Sequence, residues 1–185
     1  MATAPAPRLM TADELAALPD DGHSYELSRG MLVCMSPSSY TPGRIGGRLM
    51  TRLFAFVDDR GLGDCGSSEA GFRLRSDPDT VRAPDAWFVR AERIPVGQEI
   101  EGFFPGPPDL AVEVLSPSAR FRDVMAKVRD YPDAGTPIVW ALDPASKMTA
   151  IFRPGEPVRF LDADGVLDGE DVLPGFTLPL GKIFR

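Results

Sequence analysis

Apolar and polar residues follow two different periods along the chain. Between residues 43 and 60 the apolar positions recur at spacings of three and four, which is the period of a helix that packs one face on a core. The same period returns over residues 121–131. A capping box from Thr11 to Glu14 predicts a further short helix that continues to about Leu18. The pattern therefore predicts one short and two long helices.

The remaining apolar segments are short and are typical of strands. The run at 136–144 is almost continuously apolar, which predicts a strand buried on both faces. The predicted strands lie at 24–36 (a hairpin that turns at Arg29-Gly30), around Cys65, and at 71–75, 81–89, 109–117 and 136–144, and further hairpins follow in the tail. This order predicts an α/β (α+β) fold, in which a mixed sheet is flanked by the long helices and extended by additional β-hairpins.

Length and composition narrow the class of protein. The 185 residues predict a single domain over residues 10–185, preceded by an N-terminal arm at residues 1–9. The chain contains no window of about 18 apolar residues that could span a membrane, and its opening lacks the apolar core of a secretory signal. Two cysteines are too few for a disulfide framework or a cysteine-rich zinc site. These features predict a cytoplasmic protein.

Two carboxylates interrupt strands that should be buried. In DLAVEVLSP, strand alternation aims Glu113 into a packed face, and the same argument aims Asp85 of VRAPDAWFV inward with Ala83 and Trp87. Burying a charged carboxylate is costly unless the group is paired, hydrogen-bonded or bound to a cation. Two explanations stay open at this level: a shared divalent cation, or separate neutralisation by arginines, for which Arg73, Arg75 and Arg82 are available.

Cationic residues offer partners for these acids. Lys127 borders the apolar stripe of its predicted helix and could reach the end of the preceding strand. The alternative is a surface pair with Asp123 four residues earlier, worth about 0.2–0.5 kcal/mol. The net charge of −7 repels nucleic acid, so a nucleic-acid function would need a metal ion or a local basic patch. One helix carries such a stripe, which either contacts phosphates or is an ordinary solvated face: Arg44, Arg48 and Arg52.

Several segments together resemble a known family. SYELSRG, VRAPDAWFV, PPDLAVEVLSPS, AKVRDYPDAGTP and VWALDP are similar, in order and spacing, to the Uma-two family. These bacterial proteins are classed as putative restriction endonucleases of the PD-(D/E)XK nuclease superfamily. The resemblance covers roughly residues 10–184. It implies a restriction-endonuclease-like fold with acids and a lysine gathered at one edge of the sheet.

The resemblance also assigns site residues. Asp85 matches the motif aspartate and Glu113 the second metal-binding acid. The superfamily lysine normally lies two residues after that acid, but this position is Leu115, and Lys127 on the following helix takes its place. Glu26 in YEL matches a family glutamate that could supply a further catalytic carboxylate.

The implied activity is metal-dependent hydrolysis of phosphodiester bonds, with DNA as the expected substrate. Asp85, Glu113 and the backbone carbonyl near Val114 are expected to hold Mg²⁺ or Mn²⁺ together with several waters. The ion would polarise the phosphodiester and lower the pKa of a bound water, while Lys127 would stabilise developing charge. A homodimer would suit the cutting of both strands of a duplex.

Two departures from the family pattern keep other functions open. The family usually has His-Gly before its long helix, where this chain has Pro42-Gly43, and often Asp-Gly-Glu where this chain has Arg29-Gly30-Met31. The alternative function is a catalytically weakened or inactive nuclease-fold domain that serves as a binding or regulatory module. A third hypothesis, a purely structural β-rich module, predicts that Glu113 is paired with arginine and lies far from Asp85.

Overall fold

The structure, a computed structural model, describes residues 8–116 and 121–185, apart from the side chains of residues 121–123. Most of the predicted arm therefore lies outside the described residues, and the division into arm and domain stays a prediction. Within these ranges the α-helices are α1 (Ala12–Ala16), α2 (Tyr40–Asp58), α3 (Phe121–Asp133) and α4 (Gly181–Phe184). None of the described helices is both long enough and apolar enough to cross a membrane.

The strands form two large sheets and one small one. They are β1 (Ser24–Ser28), β2 (Met31–Met35), β3 (Gly63–Ser67), β4 (Phe72–Arg75), β5 (Thr80–Arg82), β6 (Ala86–Arg90), β7 (Leu110–Val114), β8 (Ile138–Asp143), β9 (Met148–Phe152), β10 (Arg159–Leu161), β11 (Val166–Asp168) and β12 (Thr177–Pro179). The sheet orders are β2-β1-β5-β4, β10-β9-β8-β7-β6-β3 and β11-β12. Only β7 and β8 are paired in parallel among these described strands, so the larger sheet is mixed.

The two long helices cover opposite faces of the six-stranded sheet, as the apolar stripes predict. The stripe of α2, which includes Leu49 and Leu53, packs with Val112 and Trp140 in one apolar cluster. Val128 and Tyr131 of α3 pack on the opposite face, with Ala111, Val139 and Ala141. The alternation of β7 and β8 between these clusters explains why both strands are apolar almost throughout. The predicted α/β (α+β) architecture with flanking helices and added hairpins is confirmed.

One predicted strand is wrong in a way that matters for the site. The segment 81–89 is divided into β5 and β6, which belong to different sheets. Pro84 lies in the break and cannot donate a backbone hydrogen bond to a sheet, so it favours an interruption here. Asp85 therefore lies just before β6, and the alternation that grouped it on a strand face with Ala83 and Trp87 does not apply.

The boundaries of the helices follow local chemistry. The capping box is present: the Thr11 hydroxyl accepts a hydrogen bond from the Glu14 backbone N–H, and the Glu14 carboxylate accepts one from the Thr11 backbone N–H. Helix α1 ends at Ala16. Helix α2 begins at Tyr40, slightly before the predicted residue 43. Pro42 falls in its first turn, where the missing N–H has no partner within the helix, so this departure from the family pattern is compatible with the helix.

Candidate active site

Glu113 and Lys127 face each other between β7 and α3. Glu113 is only 7% exposed although it carries a carboxylate. It lies on the face of β7 that α3 covers, where Lys127 and Tyr131, four residues apart, occupy the same side of the helix. The Lys127 Nζ is 3.0 Å from Glu113 Oε2, and the Tyr131 hydroxyl donates to Glu113 Oε1 at 2.6 Å. Both carboxylate oxygens of Glu113 are thus held by donors from α3.

The ammonium of Lys127 joins two acids. It lies 3.0 Å from Glu26 Oε1 on β1 as well as 3.0 Å from Glu113. Burial by itself would lower the pKa of Lys127, but the charges of Glu113 and Glu26 outweigh it, and the pKa is raised. Lys127 therefore stays protonated across the neutral range. The alternative pair with Asp123 involves a side chain outside the described residues.

Asp85, which lies just before β6, is close to Glu113 and Lys127. Its Oδ2 accepts a hydrogen bond of 2.7 Å from the backbone N–H of Val114, the residue that follows Glu113. Strand β6 begins only at Ala86, which pairs with Val112, so Val114 extends beyond the end of β6 and the Asp85 side chain occupies the position of a strand partner. Burial raises the pKa of Asp85, and the charge of Glu26 adds to this effect, whereas Val114 and Lys127 oppose it.

Glu26 is the most buried of the acids predicted for the site, at 1% exposure, and both of its oxygens are engaged. Oε1 accepts from the Ala83 N–H at 3.0 Å in addition to Lys127, and Oε2 accepts from Arg82 Nη1 at 2.9 Å. Arg82 is itself buried and donates to Asp130 at 2.5 Å and to Ser28 Oγ at 3.2 Å. Arg82 therefore neutralises Glu26, whereas the sequence had raised neutralisation by arginine for Asp85 and Glu113.

Within the described part of the chain, the arginines do not neutralise Asp85 and Glu113 in the way that Arg82 neutralises Glu26. Arg82 is committed to Glu26 and Asp130, and Arg73 forms an ion pair of 2.9 Å with Asp79. Among the described residues, Glu113 instead meets Lys127 and Tyr131, and it lies close enough to Asp85 for the charge of Asp85 to raise its pKa. The purely structural hypothesis, which required Glu113 to be paired with arginine and remote from Asp85, is not supported.

Sequence reasoning missed two members of this cluster, Asp130 and Tyr131, and it named Arg82 only as one of three arginines available to neutralise buried acids. Lys127, Asp130 and Tyr131 are spaced so that all three point from one side of α3, and each contacts the network. The signal was present for Tyr131, which is the last residue of the apolar period predicted over residues 121–131. A buried tyrosine hydroxyl usually has a hydrogen-bond partner, so a tyrosine aimed at a buried glutamate predicts their contact.

Some residues of this charged cluster line a cleft. It has a volume of about 620 Å³, and Glu26, Asp85 and Lys127 contribute to its lining. Its walls include residues 35–38, at the end of β2 and in the connection to α2, and Phe103. The exposed His23, the single histidine of the chain, lies in the lining next to Tyr25. The arrangement places two acids and an ammonium at the base of a solvent-accessible cavity.

The oxygen donors of Asp85 and Glu113 match some metals better than others. Within the described ranges, no group of three or more His, Cys, Asp or Glu residues is arranged to hold a metal ion. Asp85 and Glu113 nevertheless lie together beside the backbone of Val114. Mg²⁺ characteristically uses one or two carboxylates and keeps several waters, so this set of oxygen donors fits a hard cation of that type.

The protonation of Glu113 gives a prediction for the metal-free protein. Burial, reinforced by the charges of Asp85 and Glu26, raises the pKa of Glu113 to about 7 in spite of Lys127 and Tyr131. The folded state therefore binds this proton more tightly than the unfolded state, and the free energy of unfolding should fall as pH rises from about 4.5 to about 7. We expect the wild type to lose on the order of 3 kcal/mol relative to Glu113→Gln over this interval.

Urea denaturation of both proteins in EDTA, across this pH interval, measures the difference. Every other titrating group is common to the two proteins, so Glu113→Gln is the matched control for the wild type. Parallel curves of unfolding free energy against pH would contradict the raised pKa of Glu113.

Comparisons with known proteins agree with the fold and with the sequence resemblance. The chain matches the sequence profile of the Uma2 family, described as putative restriction endonuclease, over residues 12–181. The crystal structure of a putative nuclease belonging to DUF820 from Anabaena variabilis ATCC 29413 is similar with a TM-score of 0.83 and 20% identity, covering 95% of this chain and 97% of that chain. At this identity the likeness shows the fold alone. A comparison with curated proteins finds no match. The profile match spans most of the chain, which therefore belongs to the Uma2 family of putative restriction endonucleases.

Proposed function

We propose that this protein is a metal-dependent endonuclease that hydrolyses phosphodiester bonds in DNA, with Asp85, Glu113 and Lys127 as its catalytic residues. The observation that carries the proposal is the convergence of these three residues from three separate segments. Asp85 and Lys127 line the cleft, and Glu113 forms an ion pair with Lys127 and lies close to Asp85. Membership of the Uma2 family and the nuclease-like fold support the same class of reaction.

The charges of the cluster support dependence on a metal ion. The described network contains the cations Arg82 and Lys127, and a larger number of acids: Glu26, Asp85, Glu113 and Asp130. A phosphodiester is an anion, and a site with an excess of carboxylates repels it. A bound divalent cation would reverse the local charge and allow the substrate to approach.

Asp85, Glu113 and the Val114 carbonyl are the groups that would hold Mg²⁺ or Mn²⁺. The Val114 N–H points towards Asp85, and the carbonyl of a strand residue points to the same side as its N–H, so the carbonyl is directed to the same region. When bound, the metal would supply a Lewis acid that polarises the phosphate and lowers the pKa of a water. The ionised form of Glu113 is required, and its pKa of about 7 allows that form near neutrality.

Lys127 would act directly on the reacting groups. Its ammonium stays charged and is held beside Glu113, where it can orient a water or stabilise negative charge on the phosphate. Tyr131 fixes the Glu113 carboxylate through its hydroxyl.

Glu26, expected from the sequence resemblance as a further catalytic carboxylate, is better assigned as a positioning residue. Its oxygens already accept from Lys127, Ala83 and Arg82, which leaves little capacity to bind a metal ion or to take a proton. Through the contact with Lys127 it holds the catalytic ammonium in place. The basic stripe of α2 is also partly engaged within the chain, since Arg44 and Arg48 donate to the backbone carbonyl of Arg185.

Nicking of supercoiled plasmid DNA tests the proposal. We expect conversion to the relaxed form with Mg²⁺ or Mn²⁺ and no conversion in EDTA, because without a cation the acids of the cleft repel the phosphate. Calorimetric titration of the metal-free protein with Mn²⁺ measures cation binding separately. Cation binding without cleavage of duplex or single-stranded DNA would contradict the nuclease and favour the binding module. Cleavage that persists in EDTA would contradict metal dependence.

A further inference from the structure

Strand β2 is exposed to an unusual degree. It lies at the end of the four-stranded sheet, and all residues from 31 to 41 are exposed except the half-buried Met35. The exposed fractions are 47% for Met31, 41% for Leu32 and 36% for Val33. Within the described residues, β1 is the one strand that pairs with β2, so the outer edge of β2 has no strand beside it.

The composition of this edge is unfavourable for a strand that remains alone. The sequence Met-Leu-Val-Cys-Met is apolar and carries no charge. Natural sheets usually protect an open edge with lysine, proline, a bulge or a covering segment, because a bare edge pairs readily with another strand. Neither lysine nor proline occurs between residues 31 and 35, and the pairing of β1 with β2 is regular over its whole length.

The backbone of β2 is arranged symmetrically about Val33. The hairpin has a two-residue turn at Arg29 and Gly30, both with positive φ, which makes Ser28 and Met31 the first hydrogen-bonded pair. Hydrogen-bonded and non-hydrogen-bonded pairs then alternate along the hairpin. Leu32 and Cys34 are non-hydrogen-bonded with β1, so their N–H and C=O groups point to the open edge, one residue on each side of Val33.

We propose that β2 pairs in antiparallel orientation with β2 of a second copy of this chain, about a two-fold axis at Val33. Leu32 of each copy then lies opposite Cys34 of the other, and these pairs exchange all of the outward N–H and C=O groups. Val33 meets its own counterpart, and Met31 meets Met35. The two four-stranded sheets become one continuous sheet.

A second copy fits this edge for reasons of symmetry and charge. An isologous interface must be self-complementary, and the outward groups on the two sides of Val33 satisfy that condition. The absence of charge from residues 31–35 means that self-pairing places no like charges opposite each other, although each chain carries −7. Repulsion between more distant exposed charges is screened beyond about 8 Å at physiological salt. Residues 31–35 also carry no charge that would attract an oppositely charged segment of a different protein.

The dimer has a consequence for the site, which rests on the proposed function. Glu26 is the cross-strand partner of Val33, and the two-fold axis is perpendicular to the sheet, so both Glu26 residues lie on the same face. Their Cα atoms are separated by three strand spacings, about 14 Å. The wall of each cleft at residues 35–38 begins at the interface. The two clefts thus face one side of the dimer, as hydrolysis of both strands of one duplex requires.

Another segment of the same chain is the competing occupant of this edge. Residues 1–7 lie outside the described residues, and the described chain resumes near the β1–β2 turn, where Met10 N–H donates to the Gly30 carbonyl at 2.8 Å. A variant that lacks residues 2–7 distinguishes this occupant from a second copy.

Sedimentation equilibrium of the full chain measures whether the protein is a dimer in solution. We expect wild type with twice the mass of one chain. We expect Cys34→Lys to raise the dimer dissociation constant by about tenfold or more, because a charged lysine then lies opposite the apolar Leu32 in both pairs. Val96→Lys, at a loop position that is 97% exposed, is the matched control and should leave the constant unchanged. A monomeric wild type would overturn the proposal. If the wild type is monomeric and the variant that lacks residues 2–7 is dimeric, the edge of β2 is occupied by that segment in the wild type.

Cross-linking tests the register without any measurement of nuclease activity. In a Cys34→Ser background, Val33→Cys places two thiols across the axis in a non-hydrogen-bonded pair with Cα atoms about 4.5 Å apart, within the range for a disulfide. We expect oxidation to give a covalent dimer. Leu32→Cys in the same background is the control, since its counterpart is displaced along the strand. Burial raises the pKa of Cys65 to about 11, which keeps that thiol unreactive. A dimer by mass that Val33→Cys fails to cross-link would overturn this interface, whether or not the protein cleaves DNA.

Discussion

Substitution of Asp85 by Asn or of Glu113 by Gln is expected to lower the rate of Mg²⁺-dependent DNA cleavage by about a thousandfold, equivalent to roughly 4 kcal/mol of transition-state stabilisation. Both changes keep the shape of the side chain and remove its charge. An amide oxygen can still accept the Val114 N–H or the Tyr131 hydroxyl, so the fold should be retained. Initial rates of plasmid nicking under saturating Mg²⁺ measure the effect.

The matched control is Glu92→Gln, an exposed acid beyond the opposite end of β6, and it should cleave at the wild-type rate. Mn²⁺ titration of the same proteins shows whether lost activity coincides with lost cation binding. Lys127→Gln should lose cleavage while it retains the cation, because its role is at the phosphate and the water. Unchanged cleavage in both Asp85→Asn and Glu113→Gln would exclude this cleft as the catalytic site.

Substitution of Arg82 by Met should destabilise the fold by about 3–5 kcal/mol, the usual result when one partner of a buried ionic network is removed. Arg82 is 5% exposed and holds Glu26 at 2.9 Å and Asp130 at 2.5 Å. Without the guanidinium, the Glu26 carboxylate remains buried with less compensation. Chemical denaturation at neutral pH, with circular dichroism as the readout, measures the change in unfolding free energy.

Arg75→Met provides the comparison, since Arg75 is an exposed arginine at the end of neighbouring β4, and it should change stability by less than about 0.5 kcal/mol. The double variant Glu26→Gln/Arg82→Met should recover part of the loss, because the uncompensated charge is removed together with its partner. A loss below about 1 kcal/mol in Arg82→Met would show that the network contributes little to stability.

The sequence was most informative where a feature depends on neighbouring residues. The period of apolar residues located α2 and α3 within a few residues, and the capping box located the start of α1. The burial of Glu113 followed from alternation within one strand. The division of 81–89 was missed because alternation was extended across Pro84, although proline alone argued for a break there.

Local pattern and family resemblance therefore determined the elements, the mixed architecture and the identity of the acids and the lysine to inspect. Only the tertiary structure decided which charges are partners: that Arg82 neutralises Glu26 and Asp130, that Lys127 joins Glu26 to Glu113, and that Asp85 binds the backbone next to Glu113. The physical reason is one of range. Periodicity reports how one segment meets a core, whereas the pairing of buried charges depends on which distant strands and helices are brought within a few ångströms of each other, and the sequence contains seventeen arginines among which local pattern cannot choose.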